Sequence, residues 1–256
     1  GDSYGFQYTL VKNRVFGIEM WLAMEALTDL QTGRHYYSQT FCHGKTKPLV
    51  TPHTVRANGS TLTRSGSGFD LDLHTKDYGI RVRMEANKPP VWHFDNGFLR
   101  MGVPDQDRET TFYYSYTNLA LKGQLSLGDK TIPVTGKGWF DKQGGPFRVT
   151  NLATHWEWFS FRFFDEEEIM LFSFPQSHAA DGTYIHADGT SSRLNHYTIE
   201  PLDFTTANAI RFSCKWKVHM PGIKEEDYTI VPLVDGSYTI VEGEVGEALG
   251  FGDMIV

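Results

Sequence analysis

The sequence predicts an all-β protein, and three observations predict it. Short runs in which apolar and polar residues alternate recur along the chain, each closed by Gly, Asn, Asp or Pro. The composition, with Gly 25, Phe 18, Tyr 12 and Trp 6, favours strands and tight turns over helical bundles. No long stretch holds a helical period, although 21–27 fits a short helix as well as a strand.

Taken in order, strands are expected at 6–10, 19–27, 35–41, 71–73, 80–85 and 98–101. Thr28-Asp29-Leu30-Gln31-Thr32-Gly33 reads as a hairpin loop, Asn58-Gly59 as a tight turn and Arg64-Ser65-Gly66-Ser67-Gly68 as a flexible connection. The rhythm resumes at 111–119, 122–127 and 131–134, with a turn at Gly128-Asp129. Strands at 154–164 and 168–174 flank Asp165-Glu166-Glu167, an acidic run that reads as a solvated hairpin tip. Further strands are expected at 184–187, 192–199, 209–219, 227–232, 241–246 and 251–256.

One sandwich rarely needs so many short strands. A boundary near Gly128 divides the chain into two β-rich domains, 1–128 and 129–256, each an antiparallel barrel, closed or nearly so. Closure hides sheet edges and encloses room for a ligand. No short repeat is visible, which disfavours a propeller or solenoid.

Composition excludes several functions. A formal charge of −7 and the lack of a dense Lys/Arg cluster leave no footprint for a phosphate backbone, so nucleic acid is not an expected partner. The histidines form neither an i, i+4 pair on a helix nor a His-x-His strand pair, and no metal site is expected. Cys42 and Cys214 read as two separate thiols, with a single long-range bridge as the alternative. A Gly-x-Ser-x-Gly elbow, a phosphate-binding loop and a dinucleotide fingerprint are all missing, so no cofactor is expected. No apolar run is long enough to span a membrane as a helix, and the chain opens in strand-like sequence at Tyr4-Gly5-Phe6-Gln7. An export signal or first strand is expected to have been removed. Asn58-Gly59-Ser60 fits a glycosylation acceptor as well as a turn.

What remains is aromatic and acidic. In Gly136-Lys137-Gly138-Trp139-Phe140-Asp141-Lys142-Gln143-Gly144-Gly145, strand alternation sends Trp139, Asp141 and Gln143 to one face and Phe140 to the other. Asp141 is then either a proton donor on an aromatic wall or a strand-end residue accepting N–H bonds from the turn that follows. In His155-Trp156-Glu157-Trp158-Phe159-Ser160-Phe161-Arg162-Phe163, alternation groups Trp156, Trp158, Ser160 and Arg162 apart from Glu157 and three phenylalanines. Glu157 must there be paired, hydrogen-bonded or protonated. Phe112-Tyr113-Tyr114-Ser115-Tyr116 brings phenols to both faces of a strand, and Trp92 adds an aromatic near a loop. A proton donor among π-faces suits one reaction in particular. Protonating an isolated alkene makes a carbocation, which aromatic quadrupoles stabilise without capturing it.

In order, Tyr4-Gly5-Phe6-Gln7, Lys88-Pro89-Pro90-Val91-Trp92-His93, Tyr113-Tyr114-Ser115, the Asp141 run through Gly144 and Trp156-Glu157-Trp158-Phe159 resemble the AttH-like and hydroxyneurosporene synthase group. This lipocalin-like family includes carotenoid 1,2-hydratases. The resemblance implies two lipocalin-like barrels packed side by side, with a site near their junction for an isoprenoid or other lipid-like molecule. Its reactions include cofactor-independent hydration of C=C bonds, hydration of plant phytoalexins and fungal Diels–Alder closures; many bacterial members have no assigned reaction. It implies a hydro-lyase with Asp141 as general acid, Glu157 or His155 positioning water, and Trp139, Tyr114 and Trp158 lining the cation. Gln143, Tyr113, Trp92 and Trp156 complete the expected ligand-binding set. A non-catalytic carrier and a pericyclase or isomerase of the same fold are the alternative expectations. A bacterial member is expected to be exported, periplasmic or held at a membrane surface by a lipid anchor. Where many relatives carry Asp-His/Arg-x-Trp-Gly, this chain has Asp141-Lys142-Gln143-Gly144-Gly145, without the tryptophan.

Overall fold

A computed structural model describes residues 2–15, 18–94, 96–100, 110–145, 157–174, 179–207, 210–233, 239–240 and 248–249. The fold is all-β, made of curled antiparallel sheets that form half-barrels among the described residues. The first eight strands are β1 (Tyr4–Val15), β2 (Ile18–Asp29), β3 (Arg34–Cys42), β4 (Leu49–Val50), β5 (Thr54–Ala57), β6 (Ser60–Ser65), β7 (Gly68–His74) and β8 (Tyr78–Ala86). Next come β9 (Val91–Trp92), β10 (Phe98–Arg100), β11 (Thr110–Leu127), β12 (Lys130–Gly144), β13 (Glu157–Arg162), β14 (Glu168–Phe174) and β15 (Ala179–Ile185). The last are β16 (Ser191–Leu194), β17 (Thr198–Ala207), β18 (Ile210–Met220), β19 (Lys224–Ile230), β20 (Thr239–Ile240) and β21 (Ala248–Leu249). The ambiguous run 21–27 is strand, and the segments expected at 241–246 and 251–256 lie outside the described residues.

Two compact units interleave in sequence, where the strand rhythm suggested a single cut near Gly128. One comprises Gly1–Asn87 with Asn118–Trp139, the other Lys88–Thr117 with Phe140–Gly250. The reason is the length of β11 and β12. Both strands run without a break through positions expected to be turns or ends, so each contributes to both units.

The N-terminal unit shows how alternation builds its core. On β7, β8 and β11, Leu71 faces Val82, Leu73 faces Ile80, and Ile80 in turn faces Leu125, all of them buried. The opposite face carries Asp70–Arg83 and Asp72–Arg81 ion pairs, each at 3.1 Å. Gly123 on β11 opposes Val82, and a Cβ there would lie 2.0 Å from the Arg81 carbonyl oxygen, so only glycine fits. Asn58 and Gly59 both have positive φ, 49° and 82°, as a two-residue hairpin turn requires.

In the C-terminal unit, β13–β16 form a four-stranded sheet and β17–β19 a three-stranded one. One face of the four-stranded sheet buries Ile169, Leu171, Tyr184 and Leu194 against Val218 and Met220 of β18. Phe159, Phe161 and Phe163 stack along β13 on that side, with ring centroids 6.2 and 6.3 Å apart. The acidic tip between β13 and β14 is more than a solvated turn. Asp165 and Glu167 clamp the ammonium of Lys224 at 3.0 and 2.7 Å. Cys42 and Cys214 are both free thiols.

Candidate functional site

The other face of the β13–β16 sheet positions the candidate site. Strand pairing puts Trp158, Phe172 and Met170 on that face, with Thr183 opposite Met170. Facing them are the inward residues of β11, because alternation sends Thr111, Tyr113, Ser115 and Thr117 one way and Phe112, Tyr114 and Tyr116 the other. Phe172 packs on Tyr113 and on Phe94, with ring centroids 5.9 and 5.8 Å apart.

Three buried side chains lead to Asp141. Thr183 Oγ1 lies 2.9 Å from His93 Nδ1, His93 Nε2 lies 2.7 Å from Ser115 Oγ, and Ser115 donates its hydroxyl to Asp141 Oδ1. His93, Ser115 and Thr183 are buried, whereas Asp141 is exposed at the end of the chain of bonds. Burial drives the His93 pKa down to about 3, so the ring is neutral and carries one proton. Two arrangements satisfy every partner. With Asp141 ionised, Thr183 donates to Nδ1, Nε2–H donates to Ser115 and Ser115 donates to the carboxylate. With Asp141 protonated the direction reverses, and Nδ1–H donates to Thr183. The chain therefore serves both protonation states without a second charge.

Serine, histidine and aspartate here do not form a hydrolytic triad. In such a triad the histidine lies between the other two, takes the serine proton and is oriented by the acid. Here Ser115 lies between His93 and Asp141 and is fully buried, so it is a link and not a nucleophile.

The backbone aims His93. Its N–H donates to the Tyr113 carbonyl at 3.1 Å, its carbonyl accepts from Gly97 N–H at 2.8 Å, and Gly97 in turn accepts from Tyr113 N–H at 2.7 Å. The turn that follows holds Phe94 at φ 57°, a costly conformation for a bulky buried side chain. Upstream, Lys88 anchors the same segment. Its buried ammonium meets Glu168 Oε2 at 2.7 Å, the His186 carbonyl at 2.9 Å and the Glu166 carbonyl, one acceptor for each proton.

Tyr113 joins the aromatic wall to the acid. Trp158 Nε1 donates to its hydroxyl at 2.9 Å, and the phenol faces Asp141 and Ser115. Burial and then the negative charge of Asp141 raise the phenol well above its ordinary range. Gln143 donates to Thr111 Oγ1 at 2.9 Å, on the same side.

The structure brings together Asp141, Tyr113, Trp158 and Gln143 from the sequence-derived set, and separates others. Tyr114 turns to the opposite face of β11, where its ring lies 4.9 Å from that of the exposed Trp92. Glu157 lies on the phenylalanine face of β13, opposite Trp158, and accepts from Trp216 Nε1 at 3.2 Å. Alternation along β13 thus turns Glu157 away from the face that carries Trp158. Trp139 is half-buried on β12, two residues before Asp141 on the same face. His155 and Trp156 lie outside the described residues. Sequence reasoning missed His93 and Ser115 as parts of the site. Alternation from Tyr113 would have found Ser115; nothing local in the sequence pairs it with His93.

Relatives carry the same architecture. An AttH protein from Nitrosomonas europaea superposes with a TM-score of 0.80 at 19% identity, covering 93% of this chain and 77% of that one. Kievitone hydratase from Nectria haematococca superposes with a TM-score of 0.74 at 15% identity, covering 94% of this chain and 75% of that one. No curated protein matches the chain in sequence. The model of the AttH-like family matches residues 1–240, nearly the whole length, and on that match the chain belongs to the AttH-like family.

Proposed function

We propose that this protein binds a hydrophobic small molecule against Trp158, Tyr113 and Phe172 and adds water across an isolated C=C bond, with Asp141 as proton donor. The observation that carries the reading is the bond chain Thr183–His93–Ser115–Asp141, which fits the carboxyl both before and after it gives up a proton. In the proposed step the Asp141 O–H bond breaks and a C–H bond forms at one alkene carbon, leaving a cation at the other. The Trp158 and Tyr113 rings stabilise that charge without attacking it. Water adds to the cation and its proton returns to the Asp141 carboxylate, which restores the acid. The likeness to a hydratase of the same fold supports the reading.

A carrier reading has its own support in the exposure of Asp141. The sequence suggested an acid enclosed by apolar surroundings, whereas the Asp141 side chain is exposed. Incubation with a panel of isoprenoid and phenolic alkenes in 18O-labelled water, followed by mass spectrometry, separates the two. The hydratase reading expects a product that gains one labelled water with the wild type, and none with Asp141→Asn, while affinity for the alkene persists. Binding with no labelled product from any alkene would establish the carrier.

A further inference from the structure

The end of the N-terminal unit where β2 begins exposes apolar side chains in a row. Ile18, Met20 and Leu22 share one face of β2, and Phe41 of β3 pairs with Leu22 and so extends the row on that face. Ile18 is 64% exposed and Phe41 60%, and Met20 is exposed between Ile18 and Leu22. Single exposed apolar residues are ordinary on a protein surface, but a contiguous row marks a surface that meets something apolar.

The opposite side of the same strand end is basic. Glu19, which alternation turns to the other face, meets Lys12 at 2.8 Å and Lys47 at 2.6 Å. The Lys47 contact holds the connection from β3 to β4 against the start of β2. That connection carries the exposed Lys45 in a single turn of 3-10 helix, Gly44–Thr46, and leads into β4 at the edge of its sheet, where Leu49 is 53% exposed. One carboxylate is thus set against three ammonium groups at this rim. From Phe41 to Ala57 the chain has Lys45, Lys47 and Arg56 and no acidic residue, although the whole molecule carries a formal charge of −7.

Charge and apolarity together identify the partner. A second copy of the chain would suit the apolar row alone, but it would bring two sets of lysines together. An anionic bilayer surface takes both features, because the apolar side chains enter the boundary of the acyl chains while the lysines reach the phosphates. The net negative charge repels the remainder of the molecule from such a surface, so contact through this rim also fixes orientation.

We propose that this rim of the N-terminal unit docks on an anionic phospholipid surface, with Ile18, Met20, Phe41 and Leu49 inserted and Lys45 and Lys47 on the headgroups. The docking requires no covalent anchor and is independent of the reaction proposed for Asp141.

Co-sedimentation of the full chain with vesicles of phosphatidylcholine, alone or mixed with phosphatidylglycerol, tests this, together with sedimentation velocity without lipid. The wild type is expected to bind the mixed vesicles at least tenfold more tightly than phosphatidylcholine alone, and to lose that preference in high salt. Ile18→Asp/Phe41→Asp and Lys45→Glu/Lys47→Glu are each expected to lose at least tenfold in affinity for the mixed vesicles. Val231→Asp/Leu233→Asp, which removes equally exposed apolar residues from the other unit, should bind like the wild type. The lysine variant keeps the test valid should the aspartate pair lower the melting temperature. No binding by the wild type, equal binding to both kinds of vesicle, or an equal loss in the Val231/Leu233 variant would overturn the proposal. A wild-type dimer that Ile18→Asp/Phe41→Asp converts to monomer would assign the face to a second copy and overturn it as well.

Discussion

Ser115 decides whether Asp141 communicates with the protein interior. It is fully buried, and its one hydroxyl joins His93 Nε2 to Asp141 Oδ1. Ser115→Ala keeps the shape of the strand but leaves His93 Nε2 buried without a partner. A group stranded in this way destabilises a fold by about 1–3 kcal/mol, more than a typical exposed substitution. Urea denaturation of Ser115→Ala should show that loss, and any alkene hydration should fall with it, whereas Ser160→Ala on β13 should change neither. A stability equal to wild type would mean that the serine is not the link. At the same scale the sequence was readable only in part. Alternation from Trp139 correctly grouped Asp141 with Gln143, but the partners of Asp141 come from a segment far away in the chain, and no spacing rule connects His93 to Ser115.

At the scale of elements, the segment from Lys88 to His93 is a brace whose residues have separate tasks. Lys88 ties it to the β13–β14 tip and to β14 through the Glu168 carboxylate, Val91 packs inward, and His93 reaches Ser115. The Lys88–Glu168 pair is almost wholly buried, at 6% and 1% side-chain exposure, and Thr117 Oγ1 adds a long bond to the same carboxylate oxygen at 3.4 Å. Removing one partner of a buried pair leaves an uncompensated charge, which costs about 3–5 kcal/mol. Lys88→Met should therefore lower stability by that order in chemical denaturation, and Lys88→Met/Glu168→Leu should recover most of the loss. If the double variant is no more stable than the single, the pair is not the source. The tip between β13 and β14 read as solvated from sequence because its charges are consecutive. Its partners, Lys88 and Lys224, are distant in sequence, and only the folded sheet brings them there.

Across the whole molecule, the β class and most strand positions were legible because alternation and turn residues are local signals. The extent of the units was not, since nothing local distinguishes a turn near Gly128 from the end of a strand that has already served two units. Electrostatics of the assembled fold were equally hidden, and they set how the protein responds to acid. His93 is held neutral by burial with a pKa of about 3, against an ordinary value of 6.5. The unfolded chain therefore binds a proton between those values that the folded protein refuses. The stability associated with a neutral His93 is complete above pH 6.5 and is lost as pH falls towards 3, by about 1.4 kcal/mol per pH unit. Glu25 works in the opposite sense, because a raised carboxyl pKa favours the folded state in acid and loses that contribution as pH rises above 4.5. Comparing one protein at two pH values would mix the two effects, so a variant is needed. Between pH 7 and pH 5 the wild type should lose about 2 kcal/mol more than His93→Gln, whose side chain does not titrate, while the Glu25 contribution is common to both and cancels. Tryptophan fluorescence during urea denaturation measures both proteins at both pH values. Parallel losses in the two would show that His93 takes up its proton in the folded state, and the neutral bond chain to Asp141 would then be excluded.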